Sequence, residues 1–227
     1  MKLPRKTLEK KLFKSGYRLI YAVDEVGMGC LAGPVVVCVV AFTKKFFAKR
    51  HRHLEYLRDS KLLSSYQREE YARKLVLDKN IKYQLAFAYP KTIDNINIYN
   101  AARATMLRAI NKLRIKHYEL KKQSAIRSTQ SDNKSIVLVD GRTKIKTLNM
   151  EQLAIVKGDR KIFAIACASI IAKVHRDKMM VRYAKKYPGY GLEKHKGYGT
   201  KYHQTKLIEL GPSAIHRKSF APVAKLL

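Results

Sequence analysis

Between Leu19 and Phe42 the chain is bound to a buried sheet with charge at its mouth. Leu19 to Val23 is an apolar run that ends in Asp24 and Glu25. Glycines follow at Gly27, Gly29 and Gly33, and Val35 to Phe42 is apolar and β-branched again. Such runs on either side of a glycine turn read as strand, loop, strand. Two carboxylates at the end of a buried strand are costly unless a cation meets them. A divalent metal answers that need, because hard oxygen ligands suit Mg²⁺ or Mn²⁺. A β-turn with solvated acids is the plainer reading, and the dipeptide alone does not choose between the two. Glycine lets backbone approach a bulky anionic ligand closely. The expectation is a set of metal-binding carboxylates beside a bare backbone cradle.

The scarcity of acids makes that pair more pointed. The 227 residues include 48 Lys and Arg against 17 Asp and Glu, a formal net charge of +31. An excess of this size implies a polyanionic partner, most simply nucleic acid, with an anionic membrane surface as the lesser option. It does not by itself separate an enzyme from a basic binding protein. Cys30, Cys38 and Cys167 are far apart and include no Cys-x-x-Cys pair, which argues against a zinc site and for reduced thiols in the cytoplasm. The basic start, Met1 to Lys11, lacks the apolar core of a signal peptide. The longest apolar run, Leu31 to Phe42, is broken by Gly33 and Pro34 and falls short of the ~20 residues a span needs. The length suits one domain, residues 1–227.

In chain order, Met1 to Ser15 reads as a frayed or short helical lead-in, with strands at Gly16 to Asp24 and Val35 to Phe42. Thr43 to Arg58 is a basic surface stretch in which His51 and His53 flank Arg52 and read as surface residues, with a metal site as the lesser alternative. Ser64 and Gln67 form a capping box for a helix to about Asp78, burying Tyr66, Leu75 and Val76. Ile81 to Tyr89 alternates as a strand stopped by Pro90. Thr92 to about Glu119 reads as one helix, with Ala101, Ala102, Thr105, Met106, Ala109, Ile110 and Leu113 on one apolar face. Asn95, Asn97 and Asn100 are either substrate contacts or caps. Lys121 to Lys134 is a basic, Ser/Gln-rich loop. Strands follow at Ser135 to Asp140 and Leu153 to Val156, and a long helix at Arg160 to about Lys186. Lys201 to Leu210 is a short helix ended by Gly211 and Pro212. Strands and helices mix, so the class is α/β with one central sheet.

Asp24 and Glu25 close one strand, Asp140 closes another, and Asp177 lies on the long helix beside Lys173 and Arg176. Alone, Asp140 reads equally as a turn residue and Asp177 as a helix salt bridge. The surrounding segments carry more. Asp24-Glu25-Val26-Gly27-Met28-Gly29 with Gly33-Pro34 resembles the first motif of the type 2 ribonucleases H, the ribonuclease HII family, except that Met28 stands where the family usually has arginine. Leu138-Val139-Asp140-Gly141 resembles its second motif. Lys157-Gly158-Asp159 through Ala168 to Asp177 resembles the third. Asp59-Ser60-Lys61-Leu62, His195-Lys196-Gly197-Tyr198-Gly199-Thr200 and His216-Arg217-Lys218-Ser219-Phe220 match others, in order, from about Ile20 to Val223.

The resemblance implies a ribonuclease H-like fold, a central mixed sheet flanked by helices. The core would span about 17–186, followed by a small helical substrate-binding extension over 187–227. It implies catalytic and metal-binding roles for Asp24, Glu25, Asp140 and Asp177 with two Mg²⁺ or Mn²⁺ ions. It implies cleavage of RNA in RNA–DNA hybrids, and incision 5′ to single ribonucleotides in DNA. The partner would be that duplex, and the protein a monomer. The Gly27-Met28-Gly29 loop would recognise the 2′-hydroxyl. Tyr198 or His216 would stack on the neighbouring deoxyribose, and Lys61, Lys173, Arg176, Lys196 and Arg217 would bind phosphates. A type 3 ribonuclease H and a non-catalytic basic RNA-binding protein are the competing readings. The first usually carries an extra N-terminal domain, and the second would need neither Asp140 nor Asp177.

Overall fold

The computed structural model describes residues 3–123 and 134–227, the side chains of 117–123 excepted. Helix α1 (Thr7–Lys14) leads into the hairpin of β1 (Leu19–Val26) and β2 (Val35–Thr43). The short α2 (Lys44–Ala48) and two 3-10 turns, Arg52–Leu54 and Ser60–Leu62, connect β2 to α3 (Ser65–Leu77). Then come β3 (Ile81–Ala88), α4 (Pro90–Ile96) and α5 (Ile98–Gln123). After β4 (Ser135–Asp140) and β5 (Glu151–Ile155) follow α6 (Gly158–Lys161), α7 (Phe163–Lys186), α8 (Leu192–His195), α9 (Lys201–Leu210) and α10 (Ala221–Ala224).

The five strands form one mixed sheet in the order β3-β2-β1-β4-β5. β1 pairs antiparallel with β2 and parallel with β4. Val35 to Phe42 is buried on both faces, which explains its unbroken apolar run. Strand side chains alternate between faces. Ile20, Ala22, Val36, Cys38 and Leu138 meet the small-residue half of α7 (Ala164, Ala168, Ala172). Tyr21, Val23, Val37 and Val137 meet α5 through Ala101, Met106 and Ile110. A third apolar cluster joins Leu31 and Ala32 to Met180, Leu192, Leu207, Ile215 and Val223, so the C-terminal helices pack on the far half of α7 and on the glycine loop.

Several local expectations hold in detail. The Ser64–Gln67 capping box makes both of its hydrogen bonds, and α9 has the expected bounds, with Gly211 at a φ of 71°. Others need correction. Tyr66 and Val76 on α3 are 76% and 39% exposed, and only Leu75 of the three expected residues is buried. The helix expected from Thr92 is two helices, broken at Asn97, whose φ of 60° only a residue tolerant of left-handed backbone adopts easily. Asn97 Oδ1 accepts from the Asn100 backbone N–H, which makes it a cap. His51, expected on the surface, is buried, its ring stacked on Phe46. Of the two readings of the lead-in the short helix holds, and it is anchored rather than frayed. Glu9 is buried and accepts from the backbone N–H of Ala164 at the start of α7, which has no side-chain cap of its own. The stretch expected as a loop at 121–134 lies, from 124 to 133, outside the described residues. Among the described residues no helix is long and apolar enough to cross a membrane.

Candidate active site

The parallel pairing of β1 and β4 sets the site. Val23 lies opposite Val139, so the next residues on the two strands, Asp24 and Asp140, stand abreast at one end of the sheet. Both side chains lie on the α7 face, while Glu25, one residue on, points toward α5, where Arg103 tempers its charge. Asp24 is buried. Burial first, then Glu25 and Asp140, pushes its carboxyl well above the usual carboxylate range, with the Ser169 hydroxyl pulling the other way. Burial and then Asp140 push Glu25 up to about 7. The Glu25 Oε2 atom is buried with no hydrogen-bond donor.

Two further acids enrich this end of the sheet. Asp159 is buried, and burial, then Asp140, then Asp59 raises its pKa. Asp59 is also buried; it caps the Ser60–Leu62 turn by accepting from the Lys61 N–H and pairs with Arg160 at 2.8 Å. Lys61 Nζ reaches to within 3.9 Å of Asp159 and is otherwise exposed. Asp140 Oδ1 accepts from the Gly158 N–H at 2.6 Å, and a Cβ on Gly158 would come within 3.0 Å of that oxygen. Sequence reasoning passed over Asp59, Arg103, Asp159 and Ser169 as site residues. The visible signal was that Asp59 and Asp159 sit inside segments already marked as motifs.

Asp177 pairs along its own helix. Its Oδ1 accepts from Lys173 Nζ at 2.8 Å, and burial, with Asp177 as a smaller cause, raises the pKa of the Tyr198 hydroxyl. An open groove beside Asp177 is lined by Arg68, Val174, Lys178, Arg182 and Lys196. Among the described residues the four expected carboxylates do not contribute a trio of ligand atoms within 4.8 Å. Like charges hold such a set apart until a cation draws it together. The donor chemistry nonetheless fits divalent metal: all-oxygen ligands, one of them buried without a donor, and crowded charge that a cation would relieve.

The cations expected at phosphates fall into two sets. Lys61 and Lys196 keep at least part of their side chains at the surface, and Lys173 lies against Asp177. Arg176 and Arg217 have a different task, because both are fully buried. Arg176 donates from Nε to Pro34 O, from Nη1 to Lys196 O and from Nη2 to Ala32 O. Arg217 donates to the carbonyls of Gly27, Met28 and Gly33. The two guanidinium groups therefore hold the glycine loop in shape from beneath. Gly27 needs its lack of a side chain for this, since its φ is +98° and a Cβ would lie 2.2 Å from Arg176 Nε. Gly29 is exposed, and a Cβ there meets nothing within 4 Å. Met28 is half-buried and packs against the α5-side cluster. His216, one of two rings expected to stack on a sugar, is buried at 1% exposure. It accepts at Nδ1 from the Ser213 N–H and meets His203 at 3.1 Å, and burial and then His203 lower its pKa to about 4. Tyr198 is 39% exposed, with Lys173 Nζ 5.8 Å from its ring centre.

Known proteins resemble this chain over most of its length. The family model described as Ribonuclease HII matches residues 22–223. The chain is 44% identical over 213 residues to the ribonuclease HII of Caldicellulosiruptor saccharolyticus, covering 94% of this chain and 92% of that one. It is 41% identical to the ribonuclease HII of Bacillus subtilis, covering 95% of this chain and 74% of that one. The crystal structure of the ribonuclease H2 from Pyrococcus horikoshii OT3 superposes with a TM-score of 0.68 at 24% identity, covering 92% of this chain and 96% of that one.

Proposed function

The chain belongs to the ribonuclease HII family of metal-dependent endoribonucleases acting on RNA–DNA hybrids, and we propose that it also incises duplex DNA 5′ to a single embedded ribonucleotide. The products would be 3′-hydroxyl and 5′-phosphate ends. Asp24, Glu25, Asp140 and Asp177 would hold two divalent ions, Mg²⁺ or Mn²⁺. When bound, such a pair supplies activation of water and stabilisation of the leaving oxygen in an in-line displacement at phosphorus. The observation that carries this reading is the unbalanced charge where β1 and β4 end side by side, with Glu25 Oε2 left unpaired.

The chain's own residues do the positioning. The exposed backbone at Gly29 leaves room for a sugar to approach, and Arg176 and Arg217 keep that backbone preorganised. The 2′-hydroxyl is then recognised by backbone groups of Gly27 to Gly29. Tyr198, the exposed one of the two candidate rings, stacks on the deoxyribose that follows. Lys61, Lys173 and Lys196 meet phosphates, and most of the affinity comes from such contacts. In this reading residues 1–227 act as one domain, with 17–186 as core and 187–227 as substrate-binding extension. The third apolar cluster, shared by α7 and the C-terminal helices, supports that division of labour. In this reading the protein acts as a monomer. The three free, buried cysteines support a reducing, cytoplasmic setting.

A labelled duplex with one ribonucleotide, incubated with Mg²⁺, Mn²⁺ or EDTA, tests the reading. One cut 5′ to the ribonucleotide, abolished by EDTA, is expected. Binding with no cleavage under any condition would instead fit a basic RNA-binding protein. Cleavage confined to a continuous hybrid would leave only the hybrid nuclease.

A further inference from the structure

The opposite end of the sheet carries a second cluster of metal-ligating groups that hybrid cleavage does not use. β2 leaves the sheet at Thr43 and β3 enters it at Ile81, opposite Phe42. Five residues of β1 separate that end from Asp24, about 17 Å at ~3.3 Å per residue. Here His51, His53 and Asp78 each offer one ligand atom, all within 4.8 Å of one another.

Each group is prepared for ligation. His51 Nε2 lies 2.8 Å from Phe46 O, so that nitrogen carries the proton and donates. The ring is fixed flat on Phe46, with centroids 3.9 Å apart and planes 14° apart. In the neutral ring the lone pair is therefore on Nδ1, which faces Asp78 Oδ2 at 3.9 Å. That gap is too long for a hydrogen bond but is one that an intervening cation bridges. A backbone carbonyl on the far nitrogen is the usual way a ligating histidine is oriented. Asp78 is divided in the same way: Oδ1 accepts from the backbone and side chain of Asn80, at 2.8 and 3.0 Å, which leaves Oδ2 free. His53, exposed, completes the set, its ring centre 5.7 Å from that of His51.

We propose that His51, His53 and Asp78 form a structural site for a borderline divalent ion, Zn²⁺ before Co²⁺ or Ni²⁺, with water as the fourth ligand. Two imidazoles and one carboxylate suit these ions and not Mg²⁺. A tetrahedral zinc with ligands at ~2.0–2.1 Å needs its donors about 3.3 Å apart. The His51–Asp78 pair, at 3.9 Å, must draw in by about 0.6 Å to reach that spacing, and the rest of the contraction falls on exposed His53. The ion would tie the start of the 49–63 connection to the turn between α3 and β3. Asp59 and Lys61 ride on that same connection toward the acids.

Tag-free protein, dialysed against Zn²⁺ in the presence of excess Mg²⁺, is assayed for bound zinc. One equivalent is expected for the wild type and for Asp24→Asn. His53→Ala, whose side chain is exposed, should fold normally and lose affinity at least tenfold. Asp78→Asn should do likewise, since its remaining oxygen still serves Asn80. Co²⁺ should give visible ligand-field bands in the wild type and not in His53→Ala. Zinc should raise the melting temperature of the wild type and not of His53→Ala. Hybrid cleavage by zinc-free His53→Ala should match the wild type. A wild type that binds no stoichiometric zinc overturns the proposal. So does a His53→Ala protein that binds it as tightly, which would put the ion elsewhere, for example at His195, His203 and His216.

Discussion

The glycine loop lies between two groups of buried charge that are built in opposite ways. Below it, Arg176 and Arg217 are fully buried, and each guanidinium nitrogen donates to a main-chain carbonyl. Beside it, Asp24, Glu25, Asp140 and Asp159 crowd together. Burial and mutual repulsion push Asp24, Glu25 and Asp159 toward the neutral form, and Glu25 Oε2 has no partner. A buried charge whose hydrogen bonds are all made is architecture, and removing it leaves orphaned acceptors. A buried charge left short of partners is poised for a ligand, and removing it relieves repulsion. Burial alone would have placed both groups in one category.

The sharpest way to break that contrast is to exchange one member of each group. Asp24→Asn should lose orders of magnitude in cleavage rate while its melting temperature stays level or rises, because a repelled carboxylate has gone. Near-normal cleavage would refute the assignment. Duplex binding in Ca²⁺ should survive. Next in size is the loop itself. Gly29→Val fills space that is open in the free protein. It should fold normally, and cleavage at a single ribonucleotide should collapse. Gly27→Val, colliding with Arg176, should fail in stability first. A folded Gly29→Val that cuts like wild type would mean that substrate does not approach there.

Arg217→Met should show the reverse of Asp24→Asn. Leaving the carbonyls of Gly27, Met28 and Gly33 without these donors costs roughly 3 kcal/mol or more, at ~1–3 kcal/mol per orphaned group. Urea unfolding reads this directly, and an unchanged midpoint would remove the architectural role. A smaller effect comes from pH. Glu25 is raised to about 7, so without metal its contribution to stability is full below its ordinary value and is lost as pH rises through 7. Mg²⁺ needs the charged form. It should raise the melting temperature more at pH 8 than at pH 5.5, and equal gains would argue against metal at these carboxyls. Smallest is Met28→Arg. It should tighten duplex binding and steepen log affinity against log salt by about one unit. Because Met28 packs against the α5-side cluster, the new side chain must leave that surface to do so. An unchanged slope would mean that position 28 does not face phosphate.

Much of this was legible from pattern. β4 and α9 fall where the runs and punctuation put them, and the apolar face of α5 is buried as its spacing requires. What pattern missed depends on contacts distant in sequence. Nothing local marks Arg217 as structural, because its partners lie near residue 30. Nothing local shows that Glu9 caps a helix beginning at Phe163, or that His51 lies flat under Phe46. The break at Asn97 rests on one left-handed residue, which helical periodicity does not register. The resemblance put Lys61, Lys173, Arg176, Lys196 and Arg217 alike on phosphates, whereas burial divides them into those that meet solvent and those that hold the fold.

The clamp by Arg217 also bears on the order in which the protein is made. It reaches Gly27 across 190 residues of sequence. At ~5–20 residues per second, synthesis runs for about 10–40 s between the two. Asp177, the last of the four expected metal ligands, precedes Arg217 by 40 residues, so only for the last ~2–8 s of that interval does the nascent chain hold all four acids while the loop beside them lacks its brace. On the proposed roles, the metal ligands are complete before the sugar-reading loop is fixed. On that reading the protein meets nucleic acid as a selective cutter only once its C-terminal helices have docked.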